Sequence, residues 1–325
     1  MNRLLTAYRH SQCLRVAAEL RLAERLAEGS KTVAQLAEET STHAPSLQRL
    51  LRALVAMQVL VEESSGRYGL TALGAELRGD RLGPAALLSN SDLYWQTWQH
   101  LDFSVRTGDR AFDLVHGMRD WDYYATHPDE GAQFDAAMAA NTGPVTTAVL
   151  AAYDFSGFRL IADIGGGDGT LLKEILTQHP EPRGVLFDRS DVIERARLNL
   201  GPRLAGRVEL VGGSFFDALP AGADLYVMKT IIHDWDDAHA SEILERCREA
   251  CAEGTRLVLI ERVLPEHSDP DALEMYMMDL NMLVNNGGLE RTADGYRVLL
   301  SAAGFRLERI LATGVGPSVL ESTAV

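Results

Sequence analysis

The sequence predicts a doubly wound α/β domain that follows a smaller helical module. Strand-like apolar runs alternate with amphipathic helical stretches from about residue 145 onward. The first run, at residues 159–164, leads into a glycine-rich turn and then a helix, which is the opening unit of such sheets. The first 80 residues carry short helical patterns and one hairpin instead. These observations predict two domains of different architecture.

The composition is that of an acidic globular protein. The 325 residues carry 31 Lys and Arg against 46 Asp and Glu, a formal net charge of −15 at pH 7. This balance disfavours nucleic acid and anionic membranes as partners. The sequence shows neither a signal-peptide pattern nor an apolar run long enough to span a bilayer. We therefore expect a cytoplasmic protein that binds neither membrane nor nucleic acid.

Residues 1–90 are predicted to form a winged-helix-like module. A capping-box pattern at Thr32 and Gln35 begins one helix, and Pro45 begins the next. Residues 59–61 and 67–70 flank a turn and predict a two-stranded wing. One earlier helix is predicted from four spaced apolar residues: Leu14, Ala18, Leu22 and Leu26. Such a module can bind DNA, but its basic residues are scattered singly, which favours dimerisation.

Residues 91–144 form a second region that is aromatic-rich and helical in period. Its aromatic side chains either pack as core or line an apolar pocket for a flat ligand, and the pattern alone leaves both open. Residues 145–325 are predicted to form the α/β domain. Its seven predicted strands, closed by an edge hairpin, are 159–164, 184–187, 207–211, 223–229, 256–260, 305–311 and 318–322.

The glycine turn indicates which ligand the sheet binds. A dinucleotide fingerprint needs Gly or Ala at its sixth position, but counting from Gly165 that position is Thr170. The spacing is instead Asp163-x-Gly165-x-Gly167-x-Gly169. An acid, Asp188, ends the second strand 23 positions after Gly165, near the offset at which an acid accepts hydrogen bonds from a ribose. The alternative is that Asp188 only caps a helix.

The fourth strand runs into His233, which places an imidazole at the ligand edge of the sheet. With an unperturbed pKa of about 6.5, a histidine there is neutral near pH 7 and can accept a proton from a phenol. A purely structural His233, or a metal site with Asp234 and Asp236, remains an alternative. Glu261 ends the fifth strand and Glu290 follows a glycine loop, so two carboxylates are predicted beside the imidazole.

Together these segments resemble the small-molecule O-methyltransferases that use S-adenosyl-L-methionine (SAM), both plant caffeate-type and bacterial polyketide-tailoring members. The resemblance covers nearly the whole chain and implies the class I SAM-methyltransferase fold with an N-terminal winged-helix dimerisation domain. It is carried by the glycine motif, Phe187-Asp188, Lys229…His233-Asp234-Trp235, Glu261-Arg262-Val263-Leu264-Pro265 and Gly287-Gly288-Leu289-Glu290-Arg291-Thr292.

The resemblance also implies which residues form the site. It implies His233 as general base with Glu261 and Glu290 beside it, and no metal. The implied cofactor residues are Asp163, Gly165, Gly167, Asp188, Ser214, Phe215 and Lys229. Those implied to face the acceptor are Phe134, Met138, Asn141, Met282 and Asn285. Ser214 departs from the Asp of plant members, as in a bacterial-type variant.

The function expected from this resemblance is SAM-dependent methylation of a hydroxyl on a phenolic or polyketide-type aromatic secondary metabolite, by a homodimer. Two alternatives keep the cofactor: methylation of nitrogen or carbon, and non-methylating chemistry such as decarboxylation or hydroxylation. A third alternative is a DNA-binding regulator that uses the winged helix, which the overall charge disfavours.

Overall fold

A computed structural model describes residues 1–201, 204 and 206–325, apart from the side chain of Asn141. The chain forms two compact units. Unit 1 comprises Met1–Gln96 and Tyr123–Asn141, and unit 2 comprises Thr97–Asp122 and Thr142–Val325. The predicted middle region, 91–144, thus contributes to both units. The domain boundaries placed at residues 90 and 144 stay a prediction.

The N-terminal part of unit 1 is helical with one small hairpin. Its elements are α1 (Asn2–Leu5), α2 (Tyr8–Glu19), α3 (Leu22–Leu26), α4 (Val33–Thr40), α5 (Ala44–Ala56), β1 (Leu60–Glu62), β2 (Tyr68–Leu70), α6 (Ala72–Ala75) and α7 (Gly83–Ser89). Strands β1 and β2 pair antiparallel, as predicted for the wing. The core gathers buried side chains that include Leu22, Leu36, Leu51, Leu54 and Tyr68.

Two predictions made from local sequence in this part have opposite outcomes. The predicted capping box is present, since Thr32 accepts from the backbone N–H of Gln35 and the Gln35 side chain accepts from the backbone N–H of Thr32. The prediction of one helix over residues 14–26 is wrong. Arg21 has φ +51, a left-handed conformation that interrupts the helical ladder and separates α2 from α3.

Five helices follow before the sheet begins. They are α8 (Asp92–Trp98), α9 (Leu101–Thr107), α10 (Ala111–His116), α11 (Asp120–Thr126) and the long α12 (Pro128–Ala152), which contains Pro144. The residues of α9 and α10 belong to unit 2, whereas most of α11 and the first half of α12 belong to unit 1.

Unit 2 is built on a seven-stranded mixed sheet. Its strands are β3 (Leu160–Ile164), β4 (Arg183–Asp188), β5 (Val208–Gly212), β6 (Leu225–Lys229), β7 (Arg256–Glu261), β10 (Phe305–Ala312) and β11 (Ser318–Ala324), with a separate short pair, β8 (Val263–Leu264) and β9 (Arg291–Thr292). The order across the sheet is β10-β11-β7-β6-β3-β4-β5. Strands β3 to β7 are parallel, and β10 and β11 form the predicted antiparallel edge hairpin.

Helices cover both faces of this sheet, as expected for a doubly wound fold. They are α13 (Thr170–Gln178), α14 (Ser190–Leu200), α15 (Asp237–Ala250), α16 (Leu273–Asn285) and α17 (Ala293–Ala302), with 3₁₀ turns at Ile232–Asp234 and Pro270–Ala272. Helices α13 and α14 pack on one face, and α15 and α17 pack on the other. The carboxyl ends of β3, β4, β6 and β7 therefore meet at one edge, where ligands bind in such sheets.

Candidate active site

The turn after β3 brings backbone, rather than side chains, to the edge of the sheet. Gly165, Gly167 and Gly169 have φ of +68, +60 and +77, the left-handed region that favours glycine. A Cβ on Gly165 would lie 2.4 Å from Cδ1 of Ile231, so this glycine is needed for close packing. A Cβ on Gly167 would meet no described atom within 4 Å, which leaves that stretch of backbone open to a ligand.

Asp188, at the end of β4, holds the glycine turn. Its Oδ2 accepts a hydrogen bond from the backbone N–H of Gly167 at 2.8 Å, and its Oδ1 accepts one from Arg189 N–H at 2.7 Å. Burial raises the pKa of Asp188. Each carboxylate oxygen retains a second lone pair, so the side chain can order the turn and still accept from a ribose hydroxyl.

A buried acid and a buried cation lie beneath this turn. Asp163 is 2% exposed, and burial raises its pKa to about 7 although the positive charge of Lys229 opposes the rise. Burial in turn lowers the pKa of Lys229, whose Nζ lies 3.4 Å from Oγ1 of Thr142. The Oδ2 atom of Asp163 has no hydrogen-bond partner among the described residues.

Phe215 stands beside the glycine turn. Its ring packs edge-on against Trp235 with centroids 5.7 Å apart, and its Cε1 lies 3.9 Å from the position of a Cβ on Gly165. Ser214 accepts a hydrogen bond from Phe216 N–H at 3.3 Å. Ile231, which sequence reasoning missed, covers Gly165 from the β6 side. Phe215 and Ile231 therefore form apolar surface next to the glycine turn.

The turn after β6 carries His233 and is clamped by side chains from elsewhere in the chain. Thr230 adopts φ +52, which is unusual for a β-branched residue. Oε1 of Glu261 accepts from the backbone N–H of Ile231 at 3.0 Å and of Ile232 at 2.8 Å. Glu261 is fully buried. This carboxylate thus positions the turn as well as flanking the imidazole, a role that the sequence did not reveal.

Arg291, also missed by sequence reasoning, holds the other end of the same turn. Its guanidinium donates to the carbonyl oxygens of Ile232 at 3.1 Å and Trp235 at 2.9 Å, and to Oδ1 of Asp237 at 2.9 Å. The Gly287–Gly288 loop approaches from the same direction. A Cβ on Gly288 would lie 2.0 Å from the carbonyl oxygen of His233, so only glycine fits there.

The imidazole of His233 has its two nitrogens in different surroundings. Nδ1 lies 2.9 Å from Oε1 of Glu290 and 4.0 Å from Oε2 of Glu261. Nε2 lies 3.5 Å from Oδ1 of Asp234. Since an ionised Glu290 can only accept, it places a proton on Nδ1 and leaves Nε2 of the neutral ring as a proton acceptor.

The charge state of His233 differs from the one expected for an unperturbed histidine. Burial alone would lower its pKa, but the negative charges of Glu261, Asp234 and Glu290 outweigh burial and raise the pKa to about 9. Burial also raises the pKa of Asp234, to about 7. At neutral pH the imidazolium is therefore the favoured form, a consequence of three acids that lie far apart in sequence.

His233 and two of these acids, Glu261 and Glu290, form a candidate set of metal ligands. One ligand atom each from His233, Glu261 and Glu290 lies within 4.8 Å of the others. Asp236, for which the sequence favoured a helix cap over a metal ligand, caps α15 by accepting from His239 N–H at 2.9 Å. Geometry alone therefore permits either proton transfer or metal binding at His233.

The residues predicted to face the acceptor fall in both units. Met282 and Asn285 lie buried on α16 in unit 2. The loop that follows α16 contacts the His233 turn through Gly288. Phe134 and Met138 lie on α12 in unit 1, where Phe134 stacks on Tyr124 with centroids 4.6 Å apart. The side chain of Asn141 lies outside the described residues.

Two protein families match the chain. Residues 98–306 match the O-methyltransferase domain, and residues 2–78 match the O-methyltransferase dimerisation domain. In the part of the chain that the structure describes, no helix combines the length and the apolarity required to cross a membrane.

Similar proteins include methyltransferases and one hydroxylase. The phenazine O-methyltransferase PhzM of Lysobacter antibioticus is 39% identical over 99% of this chain and 95% of its own length. The O-methyltransferase NcsB1 from neocarzinostatin biosynthesis, solved with SAM and 2-hydroxy-5-methyl naphthoic acid, is 35% identical with a TM-score of 0.79, covering 97% of this chain and 96% of that one. The aclacinomycin 10-hydroxylase RdmB of Streptomyces purpurascens is 34% identical over 96% of this chain and 87% of its own length.

Proposed function

The chain belongs to the SAM-dependent O-methyltransferase family, and on that premise we propose that it methylates a hydroxyl of an aromatic small molecule with His233 as a metal-independent general base. The observation that carries the proposal is the fixed imidazole. Its Nδ1 is held at 2.9 Å by the buried Glu290, which keeps Nε2 available for a proton.

The glycine turn fits the cofactor. Open backbone at Gly167 and the carboxylate of Asp188 suit a nucleoside, and the ring of Phe215 suits a flat base. Bound SAM supplies a methyl group on a positively charged sulfur. The remaining proposed cofactor residues are Asp163, Gly165, Ser214 and Lys229.

His233 is the proposed proton acceptor, and Glu261 and Glu290 position it. Methylation of a hydroxyl requires that the hydroxyl lose its proton, and Nε2 of the neutral His233 ring is the group that would accept it. Glu290 keeps the ring in the required orientation, and Glu261 keeps the turn in place. The imidazolium that results is stabilised by the carboxylates of Glu261, Asp234 and Glu290, the groups that raise its pKa.

The acceptor class follows from the relatives. PhzM is named for a phenazine, and NcsB1 was solved with a naphthoic acid, so we propose a flat aromatic hydroxyl compound for this chain. The proposed acceptor contacts are Phe134, Met138, Asn141, Met282 and Asn285. The dimerisation-domain match supports a homodimer. A cytoplasmic location and the absence of nucleic-acid binding stay predictions from the sequence.

The test is product analysis with SAM and a panel of hydroxylated phenazines, naphthoates, anthracyclines and simple phenols. We expect a mass gain of one CH₂ on a hydroxyl with the wild-type protein, and a loss of that product with His233→Ala. Unchanged turnover in the variant would reject His233 as the base. Salt-dependent binding of duplex DNA would instead favour the regulator alternative.

Other chemistry with the same cofactor is the competing proposal, because RdmB is named as a hydroxylase. The same product masses separate the outcomes. Oxygen insertion adds 16 mass units and decarboxylation removes 44, whereas methylation adds 14. Fragmentation distinguishes a methylated oxygen from a methylated nitrogen or carbon.

A further inference from the structure

A further buried acid lies near the His233 turn and has no part in the proposed mechanism. Asp120, the first residue of α11, is 3% exposed. Its Oδ2 accepts a hydrogen bond from Nδ2 of Asn286 at 2.8 Å. Its Oδ1 is buried and has no hydrogen-bond partner among the described residues. The backbone N–H of Trp121 and the positive charges of Arg119 and Arg110 lower the pKa of Asp120, but Oδ1 itself accepts no hydrogen bond from the described residues, and a buried acceptor left unpaired costs free energy.

Asp120 is close to the reacting side of the imidazole. Its partner Asn286 belongs to the loop whose Gly288 contacts the His233 backbone. The negative charge of Asp120 raises the pKa of Asp234, whose Oδ1 lies 3.5 Å from Nε2 of His233. Burial raises the pKa of Asp120 itself to about 6, so it is mostly ionised at neutral pH and acts only as an acceptor.

A neighbouring amide presents a second unpaired oxygen. Nδ2 of Asn285 donates to the carbonyl and to Oδ1 of Asn281 at 3.0 and 2.9 Å, and Nε1 of Trp98 donates to the same Oδ1 at 3.1 Å. An indole N–H is only a donor, which fixes the Asn281 amide and, through it, the Asn285 amide. Oδ1 of Asn285 is left buried without a partner among the described residues.

We propose that Asp120 forms a specificity site that accepts a hydrogen bond from a second hydroxyl or an amino group of the aromatic acceptor, with the proposed acceptor contact Asn285 as a further buried hydrogen-bond acceptor. The inference rests on the proposed function. It adds the chemical class of the acceptor: the ring carries a further hydrogen-bond donor near the hydroxyl that is methylated. A ring with a single hydroxyl leaves the buried oxygens unpaired and is a poor acceptor.

The test compares acceptors that differ by one donor. We would measure kcat/KM with 2,3-dihydroxynaphthalene against 2-naphthol, and with 3-amino-4-hydroxybenzoate against 4-hydroxybenzoate. The donor-bearing member of at least one pair is expected to be preferred roughly tenfold or more. This comparison uses the wild-type protein and depends on no variant.

Asp120→Asn then tests the residue. The amide oxygen of the variant would accept from Asn286, which turns the amide nitrogen toward the position of Oδ1 and replaces an acceptor with a donor. We expect the ratio of kcat/KM between the donor-bearing and the single-hydroxyl acceptor to fall to about twofold or less, and SAM affinity to stay at the wild-type value. Asp109→Asn, at an exposed acid in the same region, is the control and should keep the preference.

The outcomes separate the two proposals. Equal kcat/KM for both members of each pair in the wild-type protein would overturn the specificity site but leave the methyltransferase proposal standing. A wild-type preference that survives in Asp120→Asn would reject Asp120 as its source. Methylation of no member, nor of any acceptor in the wider panel, would overturn both proposals.

Discussion

The turns after β3 and β6 lie at the same edge of the sheet but are built in opposite ways. The first is made of consecutive glycines with one additional support, the carboxylate of Asp188. The second contains a left-handed threonine, Thr230, and is held by Glu261 and Arg291 from two other segments. The first turn offers backbone to a ligand, whereas the second fixes one side chain.

We therefore propose that cofactor binding and proton transfer depend on different kinds of residue at this edge of the sheet. Substitutions in the glycine turn should change the affinity for SAM. Substitutions around the His233 turn should change turnover and its pH dependence and leave SAM affinity nearly intact. A variant that changed both SAM affinity and turnover would contradict this distinction between the two turns.

The largest effect is expected from His233→Ala. Loss of a positioned general base costs about 10²–10⁴-fold in turnover. We expect this loss with a SAM dissociation constant within about twofold of wild type, measured by calorimetry. The control is His239→Ala, which removes a partly exposed histidine that also pairs with an acid, Asp236. Equal losses in the two variants would show that the effect is not specific to the His233 turn.

The pH profile is the next sharpest test. His233 must be neutral to accept a proton, and its pKa of about 9 means that kcat/KM should rise about tenfold per pH unit up to about pH 9 and then level off. Glu290→Gln removes a negative charge that raises this pKa, so the rise should end at lower pH and at a lower plateau. The same acceptor is used for the wild type and the variant, so that ionisation of its own hydroxyl contributes equally to both pH profiles. An unshifted profile would contradict the assignment.

The glycine turn is tested with a matched pair, Gly167→Ala and Gly157→Ala. Both positions have positive φ, +60 and +84, and a Cβ at either would meet no described atom within 4 Å. Each substitution should therefore lower the free energy of unfolding by a similar amount, about 1–2 kcal/mol. Only Gly167→Ala should also weaken SAM binding, by roughly tenfold, or about 1.4 kcal/mol. Equal SAM affinities would remove Gly167 from the proposed site.

A smaller effect is expected from Arg291→Lys. Lysine keeps the charge but cannot reproduce the forked contacts to the carbonyls of Ile232 and Trp235. Turnover should fall several-fold, with the KM for SAM unchanged and the pH profile of the wild type retained. A changed KM for SAM with normal turnover would show that the two turns are not independent.

No effect is expected from metal removal, although His233, Glu261 and Glu290 are close enough together to bind a cation. Dialysis against a chelator should leave turnover unchanged, and metal analysis of the dialysed protein is the accompanying measurement. Activity that is lost and then restored by one divalent metal would replace the general-base proposal with a metal-dependent one.

The sequence was informative where structure depends on neighbouring residues. The glycine turn, the cap at Thr32, the edge hairpin and the position of His233 after β6 all follow from local spacing. It was misleading at Arg21, because an arginine with positive φ has no sequence signature and the apolar spacing continues across the break.

Contacts between segments that lie far apart in the chain were predicted less completely. The sequence predicted two of the three acids beside His233, Glu261 and Glu290, but the balance between burial and charge that raises the pKa of His233 to about 9 depends on the fold. Arg291 stood within a recognised motif, yet its partners are carbonyl oxygens, which no side-chain pattern reveals. Asp120 was missed for the same reason, since its partner Asn286 lies 166 positions away.

The contact of Gly288 with the His233 backbone bears on how this scaffold can be re-engineered. Saturation mutagenesis aimed at new acceptors would naturally include the whole loop after α16. A library member with any side chain at residue 288 would have a Cβ 2.0 Å from the His233 carbonyl oxygen and would displace the proposed base. Such members should be inactive with every acceptor, so diversity is better placed at Met282 and Asn285, with glycine kept at residue 288.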